Sequence, residues 1–383
     1  MRTTSPGAVA ARVAVAQWSW LPAALSRVSH ALGALAADGL YLCAWPRLAA
    51  SAPALALGSG ALWGWAHDGA TFTFSIVPLA LAFAVGSLGA ALGAWVSLGY
   101  ALTDSLLVDH LRGTGIGQLV YVHVPLLISY ALLALLLIVV PLATKALRVE
   151  LVPTRHGSRR TRMAIAIVAH VAIQAALVLG WTQATPTLVR PVYTWRGDWP
   201  PVEAFRPLQS DGWILVLLAG LLGAVRVVLE YRASARPELA RLVLQLRAAL
   251  SRPVPPWLHV PPWARIVARS LVAGALLSGL VTAWWEALLM MAGVAATAAL
   301  NAALSRVGPW ARAMRHVPLA LRLATGTGAS WLVASHLLGR MWGGTESFLP
   351  IVLSVVVSQL VFALLLPRPA ELPRPSPAGG DQP

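Results

Sequence analysis

The chain contains a single lysine, Lys145, and a single cysteine, Cys43. One cysteine permits no intramolecular disulfide and no cysteine-rich metal site. Charge is scarce: 11% of residues are charged, against about 25% in an ordinary soluble domain. Acids are rarest, 14 Asp and Glu beside 29 basic side chains, of which all but Lys145 are arginine. Catalytic motifs are missing as well. No G-x-S-x-G, H-E-x-x-H or G-x-G-x-x-G occurs, and the runs at Gly113–Gly117 and Gly326–Ser330 lack the Lys-Ser/Thr ending of a P-loop. The common soluble enzyme chemistries therefore have no foothold, and no cofactor or metal is expected.

What fills the 383 residues instead is apolar sequence, 58% hydrophobic with a mean hydropathy of +0.70. Its apolar runs reach the ~18–20 residues a helix needs to cross a hydrocarbon core. The expected fold is all-α, a polytopic transmembrane helix bundle of about nine spans, with eight to ten admissible. The runs are Leu48–Ala66, Phe74–Leu102, Leu119–Leu142, Met163–Trp181, Trp213–Leu229, Val267–Trp284, Ala287–Leu304, Leu319–Leu338 and Phe348–Leu366. Residues 1–47 read as an N-terminal interfacial segment, 48–366 as the bundle, and 367–383 as a disordered Pro-rich tail. No cleavable signal is evident, so the first true span is expected to direct insertion.

A net charge of +15 raises nucleic acid as a partner, but the arginines gather between apolar runs and not on one soluble face. Residues 145–162 hold six basic side chains, 226–269 eight and 305–316 three. By the positive-inside rule these connections, and the C-terminus, are cytoplasmic. The abundance of Ala, Gly, Pro and Arg points to a GC-rich bacterial genome, hence a bacterial inner membrane. The N-terminal end does not close: two spans before residues 103–118 place the N-terminus outside, yet residues 1–47 carry four arginines that favour the inside. An extra span at Val28–Trp45 would repair the parity, but Asp38 and His30 weaken it.

Residues 252–265, RPVPPWLHVPPWAR, repeat Pro-Pro-Trp at a spacing of six. In polyproline II that spacing is two turns and sets Trp257 and Trp263 on one side, about 19 Å apart. They follow an amphipathic segment, Pro237–Leu250, with Leu239, Leu242, Val243, Leu246 and Leu250 on one side. Together they read as an anchor in the headgroup layer.

Polar residues deep in a span point to function in membrane proteins. His170 and Gln174, one turn apart in Met163–Trp181, are the first candidates for a polar-ligand site or proton relay, against the plainer reading of interhelical hydrogen bonding. Asp104, Asp109 and His110 form a possible proton or cation site at a span's mouth, against that of a solvated loop. Thr182–Gly212 reads as a long aromatic loop in which Arg190 and Arg196 could bind an anionic ligand. Arg322, His336, Asn301 and Gln359 read as packing or interface residues. Three functions follow: a transporter or permease of a small polar or amphipathic solute, a membrane-embedded subunit or scaffold, and an intramembrane enzyme acting on lipid-linked substrates. The partners expected are the lipid bilayer, other membrane proteins or further copies of the chain, and no nucleic acid.

Overall fold

A computed structural model describes residues 12, 16–66, 75–104, 124–152, 158–196, 206–237, 239–241, 243–244, 261–277, 284–304, 307–341 and 349–366. Among these residues there are 14 α-helices and no strand. Four stretches are long and apolar enough to cross a membrane: Leu127–Leu151, Arg159–Pro186, Pro207–Ala233 and Trp285–Leu304. This helix composition is that of a multi-pass membrane protein. The chain divides into two compact units, residues 1–259 and 260–383.

The first unit begins with two short helices, α1 (Leu21–Val28) and α2 (His30–Ala37), and a 3₁₀ turn over Leu40–Ala44. Asp38 sits in the break between α2 and that turn, so Val28–Trp45 is not one span. Helix α3 (Pro46–Ala66) carries an internal proline, Pro53. A proline has no N–H for the carbonyl four residues back, here that of Ala49, and the Trp18 indole N–H takes its place at 2.9 Å.

The run Phe74–Leu102 is not a single long span. It forms α4 (Ile76–Ser87) and α5 (Ala90–Leu102), separated by Leu88 and Gly89. Ser75 caps the start of α4 by accepting from the Val77 N–H. A β-carbon at Gly86 would lie 3.1 Å from the Leu137 carbonyl oxygen, and one at Gly93 would collide with that same atom. In an unbroken helix seven residues span about 10.5 Å. The chain therefore doubles back at Leu88–Gly89, and α4 and α5 form a helical hairpin.

Helix α5 lies along α3 in the same direction. Gly60 abuts Val96 and Tyr100, and Gly64, one turn on, abuts Tyr100 and Asp104. These are close backbone approaches of the kind small residues permit. The next rod comprises α6 (Val124–Ala134), a π-helical turn (Leu135–Val139) and α7 (Val140–Leu151). Pro141 does not end it, although the apolar run read from the sequence stops at Leu142. Lacking an N–H, Pro141 cannot bond the Leu137 carbonyl, and that carbonyl is the one Gly86 and Gly93 pack against.

Helices α8 (Arg159–Arg196) and α9 (Arg206–Ala233) complete the first bundle side by side. They are antiparallel, with Arg159 bonded to the Tyr231 carbonyl at one end and Gly212 against Thr182 at the other. Much of the expected Thr182–Gly212 loop is thus helix. The unit has an arginine end, where Arg148 meets Glu230 and Arg236 meets the Ala44 carbonyl, and a far end, where the Tyr130 hydroxyl donates to Asp104. The N-terminal segment belongs to the arginine end: Lys145 pairs with Asp38, and Arg236 stacks over Trp45.

The described residues among 237–244 are helical, with Leu239 buried and Leu244 exposed. The Pro-Pro-Trp pair lies largely outside the described residues. Trp263, two-thirds exposed, is helical and not extended, because α10 (Pro262–Leu277) already begins at Pro262.

The second unit holds α10, α11 (Trp284–Leu304), α12 (Gly308–His316), α13 (Leu319–Met341) and α14 (Leu349–Leu365). Amides hold it together. Thr297 bonds Gln359, and the Asn301 amide reaches the carbonyls of Ala363 and Leu366, so α11 and α14 run in parallel. Arg322 bonds the Leu365 carbonyl and Gly326 faces Phe362, which sets α13 antiparallel to α14. Asn301, Gln359 and Arg322 therefore serve packing, and His336 is exposed.

Candidate functional site: a charged cluster at a helical hairpin tip

Where a helix stops, its last carbonyls and first amides need partners. At Leu88–Gly89 two such ends meet inside the first unit. The Arg226 guanidinium reaches the Ser87 carbonyl at 3.4 Å, and the Tyr41 hydroxyl donates to the Leu88 carbonyl at 2.5 Å. On the other arm, the Ala90 N–H donates to Asp38 Oδ2 at 2.7 Å. A cation thus meets the C-terminal end of α4 and an anion the N-terminal end of α5, the arrangement the helix dipoles favour.

The same two residues bind each other. Arg226 Nη2 lies 2.7 Å from Asp38 Oδ1 and 3.0 Å from Oδ2, with side-chain exposures of 0% and 1%. Arg226 Nε also donates to Glu230, one turn along α9, at 3.1 Å. Glu230 in turn accepts from Arg148 at 2.5 Å, and Asp38 from Lys145 at 2.8 Å. Five charged side chains from α7, α9 and the N-terminal segment form one network. Buried charges persist only when so paired. Arg226 stands seven residues inside the end of α9, about 10 Å along its axis.

His170 and Gln174, the pair singled out from sequence, border this network. The Gln174 amide donates to Ser87 Oγ at 3.2 Å, tying α8 to the hairpin tip. Across from them, a β-carbon at Gly223 would lie 2.9 Å from Gln174 Oε1 and 3.0 Å from the His170 ring. Both are fully buried, yet His170 Nδ1 and Nε2, Gln174 Oε1 and Arg148 Nη1 have no hydrogen-bond partner among the described residues. Most buried polar atoms have one.

The remaining candidates lie elsewhere. Asp104 is buried at the far end of α5, beside Tyr130, whose ring meets that of Tyr100 edge-on. It does not join His170. Asp109 and His110 lie outside the described residues. Arg190 and Arg196 fall on α8 and not in a loop. Among the described residues, no group of three His, Cys, Asp or Glu could hold a metal ion.

Sequence reasoning singled out His170 and Gln174 but not the charged residues beside them. Arg226, Lys145 and Arg148 were counted as charges of connections between spans. A signal was present: Arg226 falls within the apolar run Trp213–Leu229 itself. No protein-family model, curated protein or solved structure matches the chain.

Proposed function

We propose that this chain is a transporter or permease of a small polar or amphipathic solute, handled where His170 and Gln174 meet the hairpin tip. The observation that carries this reading is the pair of helix ends turned inward onto Asp38 and Arg226 beside polar atoms that lack partners among the described residues. Discontinuous helices with inward-facing ends are a recurring way to build solute sites at membrane depth, and polar groups are retained there at a free-energy cost. Arg190 and Arg196 would then lie on the approach from the far end, with Asp104 at the mouth.

The topology follows the same reading. Four crossings in the first unit (α3, α6–α7, α8, α9) plus the hairpin, and four in the second (α10, α11, α13, α14), account for the nine apolar runs. The arginine-rich connections and the C-terminus face the cytoplasm of a bacterial cell.

A membrane-embedded subunit is the competing reading, favoured by the completeness of the Asp38–Arg226–Glu230 pairing, which would also serve as a structural staple. Thermal unfolding of the purified protein in nanodiscs, against a panel of amino acids, sugars, organic ions and amphiphiles, separates the two. A solute that binds the native state should stabilise it by about 2.7 kcal/mol at a hundredfold excess over Kd. His170→Ala and Gln174→Ala should abolish that stabilisation and the solute's uptake into proteoliposomes. Binding that survives both substitutions refutes the site. Co-purifying subunits with no solute response favour the scaffold.

A further inference from the structure

We propose that the α4–α5 hairpin is re-entrant, entering the bilayer from the far end and returning there, and that the Asp38–Arg226 pair latches its tip against the arginine end. Length is the first argument. Twelve and 13 residues give arms of about 18 and 20 Å, short of the ~30 Å hydrocarbon core.

Direction is the second. Helix α5 leaves Ala90, beside Asp38 and Arg226, and ends two residues before Asp104, which lies beside Gly64 and Tyr130 at the far end. Helix α4 doubles back against it, so it starts at the far end too.

The third argument is hydrogen bonding. Irregular backbone at membrane depth is tolerated only where protein or a water-filled cavity surrounds it. At the tip, Arg226, Tyr41 and Asp38 supply the partners.

The parity of the chain then closes. With the hairpin contributing no crossing, α3 alone precedes residues 105–123. The N-terminal segment shares the side of residues 145–162, as its arginines require. No additional span at Val28–Trp45 is needed.

The latch assignment rests on the transport reading, since a tip that borders the solute site must be able to admit water or solute. Its two parts differ in origin. Arg226 is built into α9, whereas Asp38 and Tyr41 come from the N-terminal segment and hold the tip from the arginine end. Loss of the Asp38 charge leaves Arg226 with Glu230 as its carboxylate partner and reduces the hold on the Ala90 N–H to a neutral hydrogen bond, and so weakens the grip on the tip while Tyr41 still holds the Leu88 carbonyl.

The test uses single cysteines in the full chain with Cys43→Ala, in sealed vesicles of known orientation. Asp68→Cys and Arg112→Cys, in the connections on either side of the hairpin, should react with a membrane-impermeant maleimide from one face. Ser158→Cys and Ser234→Cys should react from the other. Labelling of Asp68→Cys and Arg112→Cys from opposite faces overturns the re-entrant assignment.

For the latch, Ser87→Cys should be nearly inert to a small charged methanethiosulfonate and react at least tenfold faster once Asp38→Asn is added, with Asp38→Glu restoring protection. An unchanged rate overturns the latch. Should Asp38→Asn fail to insert, Arg226→Gln, which removes the cation of the same pair, decides by the same comparison. None of these readouts involves a solute, so a failed solute screen leaves the hairpin result standing.

Discussion

Among single residues, Asp38 bears the most. Its carboxylate receives Arg226, Lys145 and the Ala90 N–H at once. Asp38→Ala leaves a fully buried guanidinium with Glu230 as its one carboxylate partner among the described residues, and removing one member of a buried pair costs about 3–5 kcal/mol. Arg226→Met should cost somewhat less, since Asp38 keeps Lys145 and the Ala90 N–H. The double variant should lose less than the sum of the two, because no uncompensated charge is left at that contact. Unfolding midpoints of the four proteins in nanodiscs measure this; strict additivity would show that the pair is not coupled. Gln174→Leu is expected to be milder, since its bond to Ser87 joins neutral groups, worth about 0.5–1.5 kcal/mol.

At the level of elements, backbone contact controls how the first bundle closes. Gly93 faces the carbonyl that Pro141 frees, and Gly60 and Gly99 face carbonyls of Val96 and Leu57. Substituting alanine at Gly93 or Gly60 forces helices apart, an overpacking cost of about 1–3 kcal/mol. Gly58 and Gly180 stand in open space on comparable helices. Alanine there should be neutral or stabilising by up to about 1 kcal/mol, the helix-propensity gain over glycine. A thermal shift series across the four positions tests the contrast directly. Equal effects at Gly93 and Gly180 would mean that the α5 contact with the π-helical turn is not formed.

For the whole molecule, the expectation concerns sidedness. On the proposed topology, the N-terminal segment and the connections after α7 and α9 share one side, which the positive-inside rule makes the cytoplasmic one. A fluorescent protein fused after Pro237 or at the C-terminus should therefore fluoresce, and alkaline phosphatase at the same points should be inactive. Phosphatase fused after Gly113 should be active. Active phosphatase after Pro237 would invert the first unit and reject the positive-inside assignment for this chain. The folded protein retains its N-terminal segment against Lys145 and Arg236, so deleting residues 1–45 should destabilise the first bundle as well as alter its insertion.

Helix content, the apolar runs and the pair His170–Gln174 were legible in the sequence, because each depends on properties read along one strand of chain. Hydropathy over twenty residues reports burial in lipid, and a four-residue spacing reports a shared helix face. The same local reading mistook Phe74–Leu102 for a span, since a hairpin and a long helix share the same hydropathy and only Gly86 and Gly93 meeting at one carbonyl reveals the turn. It also treated Arg226, Lys145 and Arg148 as connection charges, because a cation near the end of an apolar run looks alike whether it meets water or a carboxylate. Asp38 lies 188 residues from Arg226 in the chain. No pattern within either segment encodes their meeting, and only the packing of the N-terminal segment beneath the hairpin tip brings the two charges into one low-dielectric site where each requires the other.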